Sequence, residues 1–168
     1  MYEIVKKVFE GESPKSIFEV GCAGGALLKD YYDFRQIEVG GMDINAEDIK
    51  KAKKVFPEYA ENFIIHDATQ KWPIKKKYDI CFTIGTLTLI ENPISVIEEM
   101  LRIGRKIILA ESHSEREKTE DVGNTRTGYR YRFIRDYEKI FKELNLKPTY
   151  SIYLDKTIIK CQKTTNLQ

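Results

Sequence analysis

The feature that most limits what this chain can fold into is the run Ser16-Ile17-Phe18-Glu19-Val20-Gly21-Cys22-Ala23-Gly24-Gly25-Ala26-Leu27-Leu28, where an apolar stretch turns through small residues into an amphipathic one. Ile17, Phe18 and Val20 suit a strand buried in a parallel sheet. Gly21, Gly24 and Gly25 remove the Cβ atoms that would hold a ligand away from backbone N–H groups. Leu27, Leu28 and Tyr31 then give the next segment one apolar helical face. Strand, glycine turn and helix in that order read as a loop for a nucleotide-type cofactor. Glycines between a strand and a helix also serve tight packing alone, so the turn acquires meaning only together with the strands downstream of it.

Those downstream strands have polar ends. Gln36 to Met42 reads as a second strand closed by Asp43, whose carboxylate can accept hydrogen bonds from two ribose hydroxyls. Asn62 to His66 reads as a third strand, closed by Asp67, which is placed to meet the exocyclic amine of an adenine. The fourth, Tyr78 to Gly85, ends in small residues able to line a cleft. Ligands of open α/β sheets sit outside the carboxyl ends of the strands, so these ends belong to one site.

Between and after them lie helical patterns. Ala46 to Phe56 has Asn45 as its N-cap, Pro57 as its stop and Lys50, Lys51, Lys53 and Lys54 as a solvated face. Pro93 to Arg102 carries Ile94, Ile97, Met100 and Leu101 at helical spacing and is ended by Gly104. Arg105 to Ala110 reads as a fifth strand, Phe133 to Leu144 as a last helix, and Thr149 to Leu154 with Thr157 to Cys161 as a hairpin turned at Asp155-Lys156. The alternation predicts an α/β protein with a doubly wound, mostly parallel sheet of seven strands and an antiparallel C-terminal edge hairpin.

At 168 residues the chain is most economically one domain over 1–168, with no room for a separate substrate domain. Lys and Arg total 28 against 26 Asp and Glu, and the net charge of +2 gives no global field of the kind that dominates non-specific nucleic-acid binding. Cys22, Cys81 and Cys161 are odd in number and far apart, which points to a reducing, cytoplasmic setting. Met1 to Glu10 carries Glu3, Lys6 and Lys7 among apolar positions, which fits an amphipathic helix and not a signal peptide. No segment reaches the roughly 18 apolar residues of a membrane span. The two histidines and three cysteines make no metal-ligand spacing, so no metal is expected.

The sequence resembles the class I S-adenosylmethionine-dependent methyltransferases. Four motifs carry the resemblance: Glu19-Val20-Gly21-Cys22-Ala23-Gly24-Gly25, Gly41-Met42-Asp43-Ile44-Asn45, His66-Asp67-Ala68, and Tyr78-Asp79-Ile80-Cys81-Phe82-Thr83-Ile84-Gly85-Thr86-Leu87. Their order and spacing match over residues 16 to 111. The resemblance implies a Rossmann-like fold and S-adenosyl-L-methionine as cofactor, released as S-adenosyl-L-homocysteine. It places Glu19, Gly21, Cys22, Ala23 and Gly25 in the cofactor loop, Asp43 and Ile44 at the ribose, Asp67 and Ala68 at the adenine and Thr83 on the methionine side. Two positions depart from the pattern. Ala23 stands where a second glycine is common, and Leu89 stands where many small-molecule members carry a histidine. A nicotinamide dinucleotide is the competing assignment, because Gly21, Ala23 and Ala26 loosely fit G-x-G/A-x-x-G/A with Asp43 behind them. Asp67, the Gly24-Gly25 pair, the closing hairpin and the missing substrate domain argue against an oxidoreductase.

Methyl transfer from a sulfonium is an in-line displacement, and alignment alone can supply up to roughly 7–11 kcal/mol. The lack of a catalytic constellation therefore does not argue against an enzyme. Where an acceptor must lose a proton, His113 and Glu111, at and just after the end of the fifth strand, are the candidate bases, although His113 also fits an exposed loop residue. His66 reads as structural. Residues 111 to 132 form the longest loop in this reading, and Thr125 to Arg132 interleaves arginines with tyrosines. Arg126, Tyr129 and Arg130 are the candidate acceptor contacts, since guanidinium forks bind carboxylate or phosphate and tyrosine rings stack on sugar or planar faces. A solvated arginine-rich turn explains the same residues. Thr83-Ile84-Gly85-Thr86 lacks the Asn/Asp-Pro-Pro-aromatic signature of many base amino-methyltransferases, which favours a small-molecule acceptor over RNA or DNA. A shorter resemblance, carried by Glu19 to Gly25, Phe82 to Leu87, Glu111-Ser112 and the Tyr129-Arg130 to Arg135-Asp136-Tyr137 region, is to methylases associated with pseudaminic-type acid and surface-glycan biosynthesis. It implies an anionic sugar or nucleotide sugar as acceptor. An RNA-directed methyltransferase and a non-catalytic cofactor-binding partner protein remain the alternatives.

Overall fold

Successive residues of β1 (Ser16–Val20) feed opposite faces of the sheet, and this alternation builds the two cores of the molecule. Ile17 packs with Leu28, Val39, Ile49 and Phe56 on one face; Phe18 and Val20 pack with Met42, Trp72, Tyr78 and Met100 on the other. The computed structural model describes residues 2–123 and 130–162. Around β1 lie α1 (Tyr2–Val8), α2 (Ala26–Arg35), β2 (Glu38–Asp43), α3 (Ala46–Val55), β3 (Phe63–Ile65), β4 (Tyr78–Ile84), α4 (Ile94–Ile103) and β5 (Gly104–Glu111). The chain closes with β6 (Lys118–Asp121), β7 (Tyr131–Ile134), α5 (Tyr137–Glu143), β8 (Thr149–Tyr153) and β9 (Lys156–Gln162).

The main sheet has seven strands in the order β3-β2-β1-β4-β5-β9-β8. Strands β1 to β5 are parallel to one another, with Phe18 opposite both Gly40 and Cys81. β9 runs antiparallel to β5, and β8 antiparallel to β9. This is the Rossmann-like arrangement expected from the sequence. The order reverses between β1 and β4, so a crevice opens at their carboxyl ends. Asn45 caps α3 as expected, its Oδ1 accepting from the amides of Glu47 at 3.0 Å and Asp48 at 3.2 Å.

Four local expectations change. Gln36 is the left-handed C-cap of α2, so β2 starts at Glu38. Residues 111–132 are not one loop: β6 and β7 pair antiparallel, with Thr119 opposite Phe133. Phe133 therefore belongs to a strand, and the last helix starts only at Tyr137, where Asp136 supplies the N-cap by accepting from the Lys139 amide at 3.1 Å. The closing hairpin turns at Leu154-Asp155, with Leu154 at φ 55, and β9 already includes Lys156. All three cysteines are buried free thiols. Among the described residues, no helix is long and apolar enough to cross a membrane, and no cluster of His, Cys, Asp and Glu has the makings of a metal site.

Candidate functional site

The loop from β1 to α2 is held against β2 by its own amides. Gly21 and Cys22 both donate to the Met42 carbonyl at 2.9 Å. Gly21 has φ 73, and a Cβ there would fall 2.2 Å from Thr86 Oγ1, so the end of β4 leaves space for glycine only. Ala23, at φ 44, turns its N–H onto Asp43 Oδ2 at 2.9 Å, and the Asn45 N–H reaches Asp43 Oδ1 at 2.9 Å. The Asp43 carboxylate is thereby fixed by one amide on each oxygen, and each oxygen keeps a further lone pair for a ligand hydroxyl. The Asp43 carbonyl accepts from the His66 amide at 3.0 Å, which ties the end of β2 to the segment after β3.

These strand ends open into a cavity of about 530 Å³, a size usual for small-molecule sites. Ala23, Asp43, Ile44 and Asn45 form one side, with Ile44 53% exposed. His66, Asp67, Ala68 and Thr69 form a second, and Thr86 with Leu89 to Asn92 a third. Asp67 Oδ1 accepts from both the amide and the hydroxyl of Thr69, at 2.9 and 2.8 Å, so its carboxylate is held at the rim. A smaller cavity of about 390 Å³ lies between α1 and α2, lined by Val5, Phe9, Tyr31 and Arg35 and by none of the strand-end carboxylates.

Of the residues singled out in the sequence, Gly21, Ala23, Asp43, Ile44, Asp67 and Ala68 line the large cavity together. Glu19, Cys22, Gly25 and Thr83 do not. Glu19 is 1% exposed inside β1; burial, and after it the negative charge of Asp43, push its carboxyl well above the ordinary range. Its Oε2 is buried with no partner among the described residues. Cys22 packs under Gly41, where an added Cβ would meet its sulfur at 2.7 Å, and burial raises its thiol pKa. Gly25 opens α2 at φ 81, and a Cβ there would meet the Phe56 ring at 3.0 Å and Ala52 at 3.5 Å. Thr83 is buried and donates its hydroxyl to Glu111 Oε1 at 3.3 Å.

Neither candidate base lines the cavity. The Glu111 side chain is consumed by the turn after β4: Oε1 accepts from the amides of Thr86 and Leu87, both at 3.2 Å, and Oε2 from Thr88 at 3.3 Å. Burial pushes its pKa up to about 7, opposed by those amides, Lys156 and the Thr83 hydroxyl. His113 forms an isolated bridge with Arg135, and its Nδ1 accepts from the Tyr137 amide at 3.3 Å, so it helps to start α5. Arg130 is turned to Asp121, with Nε 3.0 Å from Oδ2, and its guanidinium sits 5.6 Å from the Tyr131 ring centroid. Arg126 and Tyr129 lie outside the described residues. His66, read as structural, does line the cavity, and its Nε2 is buried with no partner among the described residues. The wall from Leu89 to Asn92 has no motif of its own; the departure at Leu89 was the only signal pointing to it.

A mostly parallel sheet of this order, with acidic residues following two strands at one crevice, is a Rossmann-like cofactor-binding fold. A family model described as a methyltransferase domain matches residues 12–153, and the chain belongs to that family. No curated protein matches the sequence at a significant level. Among solved structures, an O-methyltransferase family protein from Burkholderia thailandensis superposes with a TM-score of 0.74 at 11% identity, over 99% of this chain. This chain spans 56% of that protein's length. The O-methyltransferase of a trans-AT PKS multienzyme of Brevibacillus brevis, in complex with S-adenosyl-L-homocysteine, gives 0.73 at 11% identity over 98% of this chain and 73% of that one. The N-methyltransferase NodS from Bradyrhizobium japonicum WM9, also with S-adenosyl-L-homocysteine, gives 0.68 at 13% identity over 97% and 85%. At such identities the likeness is one of fold.

Proposed function

We propose that this methyltransferase-family chain is an S-adenosyl-L-methionine-dependent methyltransferase acting on a small molecule. The observation that carries the reading is the Asp43 carboxylate, fixed by the amides of Ala23 and Asn45 at the edge of the 530 Å³ cavity and ready to accept two vicinal hydroxyls. The residues around it fit the cofactor: Ile44 offers an apolar flank beside the ribose-binding Asp43, Asp67 an acceptor for an adenine amine, and Leu89 and Ile90 an apolar far wall. When bound, the cofactor supplies a methyl group already activated on a sulfonium. What the chain supplies is alignment and exclusion of water, from Asp43 at one end and the Thr86 to Asn92 wall at the other. Glu111 and His113 serve the scaffold in this reading, and no side chain is required to take a proton from an acceptor that is already nucleophilic.

Calorimetric titration with S-adenosyl-L-homocysteine, beside NAD and NADP, tests it. Saturable one-site binding of S-adenosyl-L-homocysteine alone is expected; binding of a dinucleotide instead would replace the function while leaving the fold. For the acceptor, the arginines and tyrosines of 125–132 support an anionic sugar or its nucleotide derivative. Methyl transfer to a panel of acidic and nucleotide sugars is expected, and transfer only to unrelated acceptors would remove that class.

A further inference from the structure

Between β4 and α4 the chain makes a single 3-10 turn, Leu87–Leu89, and Thr86, Leu89, Ile90, Glu91 and Asn92 around it form one wall of the large cavity. A turn this short leaves most of its own N–H and C=O groups without internal partners. Two buried ionisable side chains from distant parts of the chain satisfy them. At the amide end stands Glu111, 0% exposed, holding the N–H groups of Thr86, Leu87 and Thr88 at 3.2–3.3 Å. At the carbonyl end stands Arg135, 8% exposed, donating Nη1 to Leu87 at 3.3 Å and Nη2 to Ile90 at 2.6 Å and to Glu91. Its guanidinium lies 4.8 Å from the Phe133 ring centroid, which fixes its plane. The Ser114 amide donates to the Arg135 carbonyl at 3.1 Å, and His113 bridges the same residue, so the two arms are joined through the segment just after β5.

Burying a carboxylate and a guanidinium costs several kcal/mol each before any partner is found. The two side chains do not pair with each other; both are directed at the backbone of one short wall. We infer that Glu111 and Arg135 are positioning residues, a two-ended clamp that holds residues 86–92 in the shape the ligand meets. The role of that wall in ligand binding rests on the methyltransferase reading above, whereas the clamp itself does not.

The test uses the full chain with Glu111→Gln and, separately, Arg135→Lys, both close in size to the native residue. Glutamine cannot accept through its amide nitrogen, and lysine lacks the planar fork that spans three carbonyls. Amide hydrogen exchange should show Thr86, Leu87, Thr88 and their neighbours through Asn92 opening several-fold to about tenfold faster, the size of one lost hydrogen bond, with β1 and β2 unchanged. S-adenosyl-L-homocysteine should bind several-fold more weakly to both. Unchanged exchange at 86–92 in either folded variant would overturn the clamp. Faster exchange with unchanged S-adenosyl-L-homocysteine affinity would reduce it to a scaffold contact and overturn the positioning role. Failure of the wild type to bind S-adenosyl-L-homocysteine, with 86–92 still loosened in the variants, would instead strike the methyltransferase reading and leave the clamp standing.

Discussion

Replacing Glu111 by glutamine should remove a specific pH dependence from the stability of the fold. Burial holds the folded carboxyl near 7, against 4.5 for an ordinary glutamate. The native state therefore keeps this proton where the unfolded chain has lost it. The resulting stabilisation is fully present below the unfolded value and disappears as pH rises through about 7. Between pH 5 and 8.5 the wild type should lose roughly 2.5 kcal/mol from this one group, at about 1.36 kcal/mol per pH unit of separation. Urea unfolding of both proteins across that range isolates the effect, because every other titrating group cancels in the difference. The stability of Glu111→Gln relative to wild type should rise by roughly 2–3 kcal/mol from pH 5 to 8.5, whatever its offset. Parallel curves would mean that the Glu111 carboxyl keeps an ordinary pKa in the fold, and would refute the claim that burial outweighs the amides and the Lys156 charge that favour its ionised form.

Two further substitutions separate ligand contact from packing. Asp43→Ala should weaken S-adenosyl-L-homocysteine binding by about 1.5–3 kcal/mol, the usual loss for hydrogen bonds to a charged group, with calorimetry as the readout; unchanged affinity would remove Asp43 from the site. Gly25→Ala, at φ 81 and with Phe56 3.0 Å from the new Cβ, should destabilise the fold by about 1–2 kcal/mol in urea, yet leave the affinity of the folded protein within about twofold, because the residue faces α3 and not the cavity.

The parts of the fold legible in the sequence are those whose signals are local. The run from Ser16 to Leu28 and the acids closing β2 and β3 declare themselves by periodicity, by glycine and by position at a strand end. The β6–β7 pair does not: Arg132 reaches Glu120 and Arg130 reaches Asp121, so the cross-strand partners are polar, and an alternating-hydrophobic search passes over them. Phe133 continues the apolar spacing of Ile140 and Phe141, and only the Asp136 cap shows that α5 starts later. Glu111 illustrates a different loss. An acid at the end of a central strand reads as a cleft residue, and nothing in the chain announces that three amides of a turn more than twenty residues earlier, Thr86, Leu87 and Thr88, will absorb its carboxylate. His66 shows the reverse, since a histidine read as structural gives no hint that it will line the cavity with its Nε2 buried and without a partner among the described residues.

The most direct measurement of the central claim is residue-resolved amide chemical-shift mapping of the protein titrated with S-adenosyl-L-homocysteine. Saturable shifts gathered on Ala23, Asp43 to Asn45, Asp67-Ala68 and Leu89 to Asn92 are the predicted result. Shifts centred instead on Val5, Phe9, Tyr31 and Arg35, around the smaller cavity between α1 and α2, or none at saturating ligand, would contradict it.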